Sequence, residues 1–104
     1  MERIAFRMQL KKGYEAAYRK RHQEIWPELS GLLKSYGISE YSIFLEPDSL
    51  QLFGFLKISD AVQLEKLPDE PVMKRWWTYM KDLMECHENH APVSFPLEEV
   101  FYLP

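Results

Sequence analysis

The sequence predicts an α+β fold of order β-α-β-β-α-β, with residues 1–104 forming one domain. Three observations carry that expectation. Apolar residues alternate with period two in the first ten residues, near the middle and at the C-terminus. Between these stretches, residues 14–36 and 70–85 repeat at the helical period. A Pro-Asp turn, not a helix, separates the two middle strands. A chain of 104 residues fits one domain. Its 46% apolar and 28% charged residues are those of an ordinary globular protein with a modest core.

In residues 3–10, "RIAFRMQL", Ile4, Phe6, Met8 and Leu10 face one way and Arg3, Ala5, Arg7 and Gln9 the other, as in a strand. "KKG" turns the chain. From Tyr14 the period changes: Tyr14, Ala17, Tyr18, Arg21, His22 and Ile25 share one stripe of a helix. Pro27 lacks a backbone N–H and disfavours helical geometry at Trp26, so a break is expected there, with Pro27 in the first turn of a second helical piece. Leu29, Leu32, Leu33 and Tyr36 continue the stripe up to Gly37, which suits a left-handed cap. Strands over 38–47 and 50–58 form a hairpin. A short helix over 60–68 starts at an Asp60 N-cap. A longer one covers 70–85, with Val72, Met73, Trp76, Trp77, Met80, Leu83 and Met84 inward. "CHENHAPVSFP" reads as a loop and "LEEVFYLP" as a final strand. This order is the ferredoxin-like, split βαβ arrangement, with helices on one face of an antiparallel sheet.

Helices cover only one sheet face, yet several strands are apolar on both. Phe53 and Phe55 oppose Leu52, Leu56 and Ile58; Phe44 opposes Tyr41, Ile43 and Leu45; Val100 and Tyr102 oppose Phe101 and Leu103. A second apolar face of this size should not stay wet on a monomer. The expectation is a homodimer joined through sheet faces, each subunit keeping a pocket between sheet and helices.

The net charge of −3 and the scattered basic residues argue against a nucleic-acid partner. The single cysteine, Cys86, permits no intrachain disulfide, and a reducing, cytoplasmic setting is expected. No signal peptide is evident, and no apolar run approaches the ~20 residues of a membrane helix.

Tyr18, His22 and Trp26 recur every four residues and so stand on neighbouring turns of one helix side. Two plain aromatic core residues and a boundary histidine would give the same pattern. The functional alternative is a histidine that gives and takes a proton near neutral pH, a tyrosine that binds a substrate hydroxyl and an indole that closes the pocket. Trp76 and Trp77 lie about 100° apart on a helix, so they cannot both fill one core position. Either Trp76 packs inward while Trp77 covers a helix seam, or their flat faces hold the C–H face of a sugar ring. Arg75 reads as a surface ion-pair residue. Tyr41 lies on the inward face of its strand, as core or as cavity roof. Cys86, His87 and His90 have zinc-type side chains, but "CHENH" supplies at most three ligands and lacks a second half-site, so no metal is expected. Glu98 and Glu99 are adjacent on the expected last strand and point apart, so they make no acid/base pair.

The strings "AFRMQL", "HQEIWPEL", "RWWTYM" and "PVSFPLEEVFYLP" together resemble the L-rhamnose mutarotase family from end to end. The resemblance implies a dimeric α/β barrel of ferredoxin-like subunits, with interconversion of the α and β anomers of L-rhamnose as the activity and no cofactor. It implies His22 as the proton donor and Tyr18, Tyr41, Trp76 and Trp77 as sugar contacts. Such chemistry delivers a proton to the ring oxygen and removes one from the anomeric hydroxyl. His22 would serve one end; Tyr18, a water, or a carboxylate such as Glu24 or Glu28 would serve the other. The tryptophans would also accommodate the methyl group of a 6-deoxy sugar. Two rival readings use the same aromatic pocket: a small monooxygenase of the dimeric-barrel type acting on aromatic substrates or haem, and a barrel that binds a small molecule without turning it over.

Overall fold

In the computed structural model, which describes residues 1–104, the first alternating segment forms β1 (Glu2–Gln9). The first helical segment splits as its proline requires, into α1 (Glu15–Gln23) and α2 (Pro27–Ser35). Trp26, held out of helical geometry by the following proline, is extended at φ −62° and ψ 131°, and Pro27 occupies the first turn of α2. Gly37 ends the segment at φ +79°, and its N–H donates to the Lys34 carbonyl at 2.9 Å. Tyr14 caps α1 from outside and is exposed, so the buried stripe of that helix narrows to Tyr18.

The hairpin follows as β2 (Ile38–Glu46) and β3 (Gln51–Ile58). Asp60 accepts the Val62 N–H at 3.1 Å as the expected cap, but what it caps is two short 3-10 turns, Ala61–Glu65 and Leu67–Asp69. Pro68 lacks the N–H that a regular helix would need there. The next helix, α3 (Pro71–Met80), is shorter than its apolar pattern. Leu83 and Met84 are still buried, but on a turn that pairs with the end of β1: the Lys11 N–H donates to the Leu83 carbonyl at 2.9 Å, and Leu10 bridges Met84.

The last strand is displaced from its expected place. It is β4 (Phe95–Leu97), taken partly from the stretch read as loop, while residues 98–104 form no strand. β4 pairs with β1 only over Ala5–Arg7. Beyond Leu97 the chain is held by side chains. Arg3 donates to Glu99 Oε1 at 2.7 Å and stacks over the Tyr102 ring at 3.4 Å.

The sheet runs β2-β3-β1-β4 with every neighbouring pair antiparallel. The helices lie on one face, where Met8, Leu10 and Leu52 meet Leu29, Met73, Trp76 and Met80 in the main core. On the other face, Phe44, Phe55, Phe95 and Leu97 are exposed.

Two backbone features shape the cavity on the helix side. Between Ser39 and Ser42, β2 takes three steps while β3 takes two, from Lys57 to Phe55, so β2 carries a one-residue bulge. Glu40 sits there at φ +49°, and its carboxylate holds Lys57 Nζ at 2.7 Å. The bulge shifts the inward positions from Ile38 to Tyr41, Ile43 and Leu45. Gly54 faces Phe6 across the β1–β3 pair, and a Cβ there would overlap the Phe6 ring.

Candidate active site

Between the inner sheet face and the helices lies a cavity of about 960 Å³. α1 contributes Tyr18 and His22, the β2 bulge contributes Tyr41, and α3 contributes Trp76 and Trp77. All five residues that the family resemblance assigns to the site therefore line one cavity.

His22 is tied to its own helix. Its Nδ1 lies 3.0 Å from the carbonyl oxygen of Tyr18. A carbonyl only accepts, so Nδ1 carries the proton and, in the neutral ring, Nε2 keeps its lone pair. Nε2 has no partner within the chain. The ring lies against Tyr18, with centroids 4.3 Å apart, and edge-on to Trp76 at 5.5 Å. Burial pushes the imidazole pKa down, and the bond to the Tyr18 carbonyl offsets only part of that shift. The resting ring at neutral pH is therefore a neutral base with its free nitrogen at Nε2.

Burial pushes both phenols up: Tyr41 to about 12, and Tyr18 further, helped by the proximity of Tyr41. Tyr41 leaves 39% of its surface exposed, and its ring meets Phe6 edge to face at 6.2 Å. Both tyrosines stay protonated at working pH and act as hydrogen-bonding hydroxyls, not as phenolate bases.

The adjacent tryptophans divide their work. Trp76 is 5% exposed, and its ring meets Trp26 edge to face at 5.1 Å and the tilted Tyr79 ring at 5.7 Å. Trp77 is half-buried at the margin of the core. Trp26 supports Trp76 from behind and does not line the cavity, so it does not close the pocket. Arg21 locks α1 to the end of α3: its Nη1 donates to the Tyr79 carbonyl at 2.6 Å and to Asp82 at 3.2 Å.

The carboxylates considered for the second proton transfer lie elsewhere. Glu24 and Glu28 are both outside the cavity, and Glu28 accepts from exposed Arg75 at 3.1 Å, the surface pair expected of that arginine. Two charged residues of α1 that the pattern did not single out, Glu15 and Arg19, do line the cavity. So does His87, from the loop after α3; its neighbour His90 instead binds Thr78, with Nδ1 2.9 Å from Oγ1. Helical periodicity offered no signal for His87, because a loop residue reaches the cavity only through the path of the chain.

The architecture has close relatives. A family model described as L-rhamnose mutarotase matches residues 3–103. An L-rhamnose mutarotase of Jannaschia sp. is 50% identical over 104 residues, covering all of both chains. One from Formosa agariphila is 48% identical over 103 residues, covering 99% of each. A crystal structure of an L-rhamnose mutarotase from Formosa agariphila superposes with a TM-score of 0.93 at 46% identity, covering both chains completely. A likeness that extends over the whole chain in sequence and in fold places this protein in a family: it belongs to the L-rhamnose mutarotases.

Proposed function

We propose that the protein interconverts the α and β anomers of L-rhamnose, with His22 as the proton-transferring group. The observation that carries this reading is a neutral imidazole, locked at Nδ1 and free at Nε2, in a cavity walled by two tryptophans and two protonated tyrosines. Membership of the mutarotase family supplies the substrate class.

The reaction starts with proton removal from the anomeric hydroxyl by Nε2. The O1 lone pair becomes the C1 carbonyl as the bond from C1 to the ring oxygen breaks. The ring oxygen takes a proton from a second donor, either the Tyr18 hydroxyl or a water. Rotation about C1–C2 presents the other carbonyl face. The former ring oxygen then re-attacks C1 and returns its proton to the second donor, while the imidazolium returns a proton to O1, so both groups regain their starting states. Protons move and no electrons are transferred, so the steps need no redox cofactor. The family's proton donor is thus the second half of one cycle here: the lowered pKa of His22 makes it a base first and an acid after. Trp76 and Trp77 hold the C–H face and the C6 methyl, and Tyr18 and Tyr41 bind hydroxyls.

The same reading extends to assembly. The β2-β3-β1-β4 order with antiparallel neighbours supports a ferredoxin-like unit spanning residues 1–104 as one domain. The exposed Phe44 and Phe55 on the outer face, and Phe101 in the unpaired tail, support a homodimer joined through sheet faces into an α/β barrel. With one cysteine in the chain, a reducing cytoplasmic setting suits it, and no helix is long and apolar enough to cross a membrane.

Saturation-transfer proton NMR on equilibrated L-rhamnose tests the activity. Irradiating one anomeric proton should attenuate the other when the protein is present, and His22→Ala should abolish the effect. A folded protein that transfers no saturation would end the mutarotase reading.

A further inference from the structure

The loop between α3 and β4 is closed by its own hydrogen bonds. The His87 N–H donates to the Ala91 carbonyl at 2.8 Å, the His90 N–H to the His87 carbonyl at 2.9 Å, and the Val93 N–H to the Glu85 carbonyl at 3.1 Å. Cys86 and Pro92 form an isolated bridge. Asn89 Oδ1 accepts the Ala91 N–H at 3.1 Å, and His90, at φ +71°, is fastened to α3 through Thr78. Both backbone polar groups of His87 are thus satisfied inside the turn, and its position is determined from two sides.

The imidazole of His87 is different. It makes no hydrogen bond within the chain, is exposed, and lines the same cavity as His22, together with apolar Ala91 and Pro92. An imidazole with neither nitrogen committed within the chain can bond a polar ligand in the cavity. The same cavity supplies flat indoles for an apolar sugar face, which leaves the hydroxyl-bearing rim of the sugar in need of partners.

We infer that His87 is a substrate-binding residue: the braced 86–92 turn presents its imidazole to a ring hydroxyl of the sugar, in the cavity that the indoles also line. This rests on the sugar-anomer reading. It assigns His87 to holding the substrate, with proton transfer left to His22. A loop-borne group that is braced by backbone bonds and not packed into a helix is suited to fixing orientation. His22, on α1 with Nδ1 already committed, is suited to proton exchange at one defined nitrogen.

Saturation-transfer rates measured across L-rhamnose concentrations separate the two roles. His87→Ala should raise KM about threefold to tenfold, the effect of one lost hydrogen bond, with kcat within twofold of wild type. His87→Gln, which keeps a donor and an acceptor, should recover most of the KM. A KM unchanged in His87→Ala overturns the inference. A fall in kcat at constant KM that His87→Gln does not rescue also overturns it, by making the ring a proton carrier. The imidazole resonances of His87, followed in the wild-type protein during L-rhamnose titration, keep the two readings separable. If anomer exchange is absent but these resonances shift, the mutarotase reading fails and the binding role stands. If they do not respond, the binding role fails whatever the exchange rate.

Discussion

Replacing each of the adjacent tryptophans by alanine should separate packing from binding. Trp76 is 5% exposed, and its indole meets His22, Trp26 and Tyr79 at 5.5, 5.1 and 5.7 Å. Removing a buried aromatic of this kind costs about 3–5 kcal/mol. A domain of this size is stable by only about 5–15 kcal/mol. At about 4–8 °C per kcal/mol, the melting midpoint of Trp76→Ala should fall by at least about 12 °C. Trp77 is half-buried and has no aromatic ring partner in the fold, so Trp77→Ala should cost about 1–2 kcal/mol, within the common range for partly buried sites. Both residues line the cavity, so both variants should bind L-rhamnose more weakly. The two should therefore share a KM defect and differ in stability. Circular-dichroism melts at one fixed protein concentration, with exchange rates measured well below both midpoints, test this. Equal midpoints, or a Trp77→Ala protein with wild-type KM, would contradict the division of labour between the two indoles.

His22→Gln should lower kcat by about 10²- to 10⁴-fold without changing the far-ultraviolet spectrum; a loss under tenfold would remove His22 from the proton transfer. The wild-type pH profile fixes the sign of the same residue. Its folded pKa lies below the ordinary 6.5, so the active neutral form persists at pH 6.5 and is lost only as pH falls through the lower folded value. An acid limb centred above 6.5 would contradict the burial of the ring. Gly54→Ala should overlap the Phe6 ring and cost about 1–3 kcal/mol, read as a lower urea midpoint; an unchanged midpoint would mean that Phe6 moves aside freely. Phe44 and Phe101 are 67% and 77% exposed, so the double substitution Phe44→Glu with Phe101→Glu should convert a dimer to a monomer in sedimentation; a monomeric wild type would refute the sheet-face dimer.

Much of the fold was legible because it depends on local rules. Alternation in "RIAFRMQL" gave β1, Pro27 gave the break between α1 and α2, Gly37 gave the left-handed cap, and Asp60 gave a cap. The site was legible to a similar depth. Tyr18 and His22 share a helix side whatever the tertiary fold, and "RWW" forces two indoles to diverge. These expectations rest on bonds and sterics between near neighbours, which every copy of the sequence carries.

Other features depended on partners far along the chain. The apolar pattern of "LEEVFYLP" is that of a strand, but a strand exists only where another backbone completes its hydrogen bonds, and β1 offers that to Phe95–Leu97. α3 stops at Met80, although its apolar period continues, because Leu83 and Met84 bond to the end of β1. Ile38 and Tyr41 differ by an odd number of residues, so strict alternation cannot turn both inward; the extra residue at the β2 bulge allows it. The free nitrogen of His22 and the lowering of its pKa follow from the depth of its burial. His87 joins the cavity because its loop, fastened to α3 through His90 and Thr78, returns it there. Residue types and local periods thus set which groups were available, and the pairing of distant segments decided which of them face one another, because burial and register are properties of contacts that no short stretch of sequence contains.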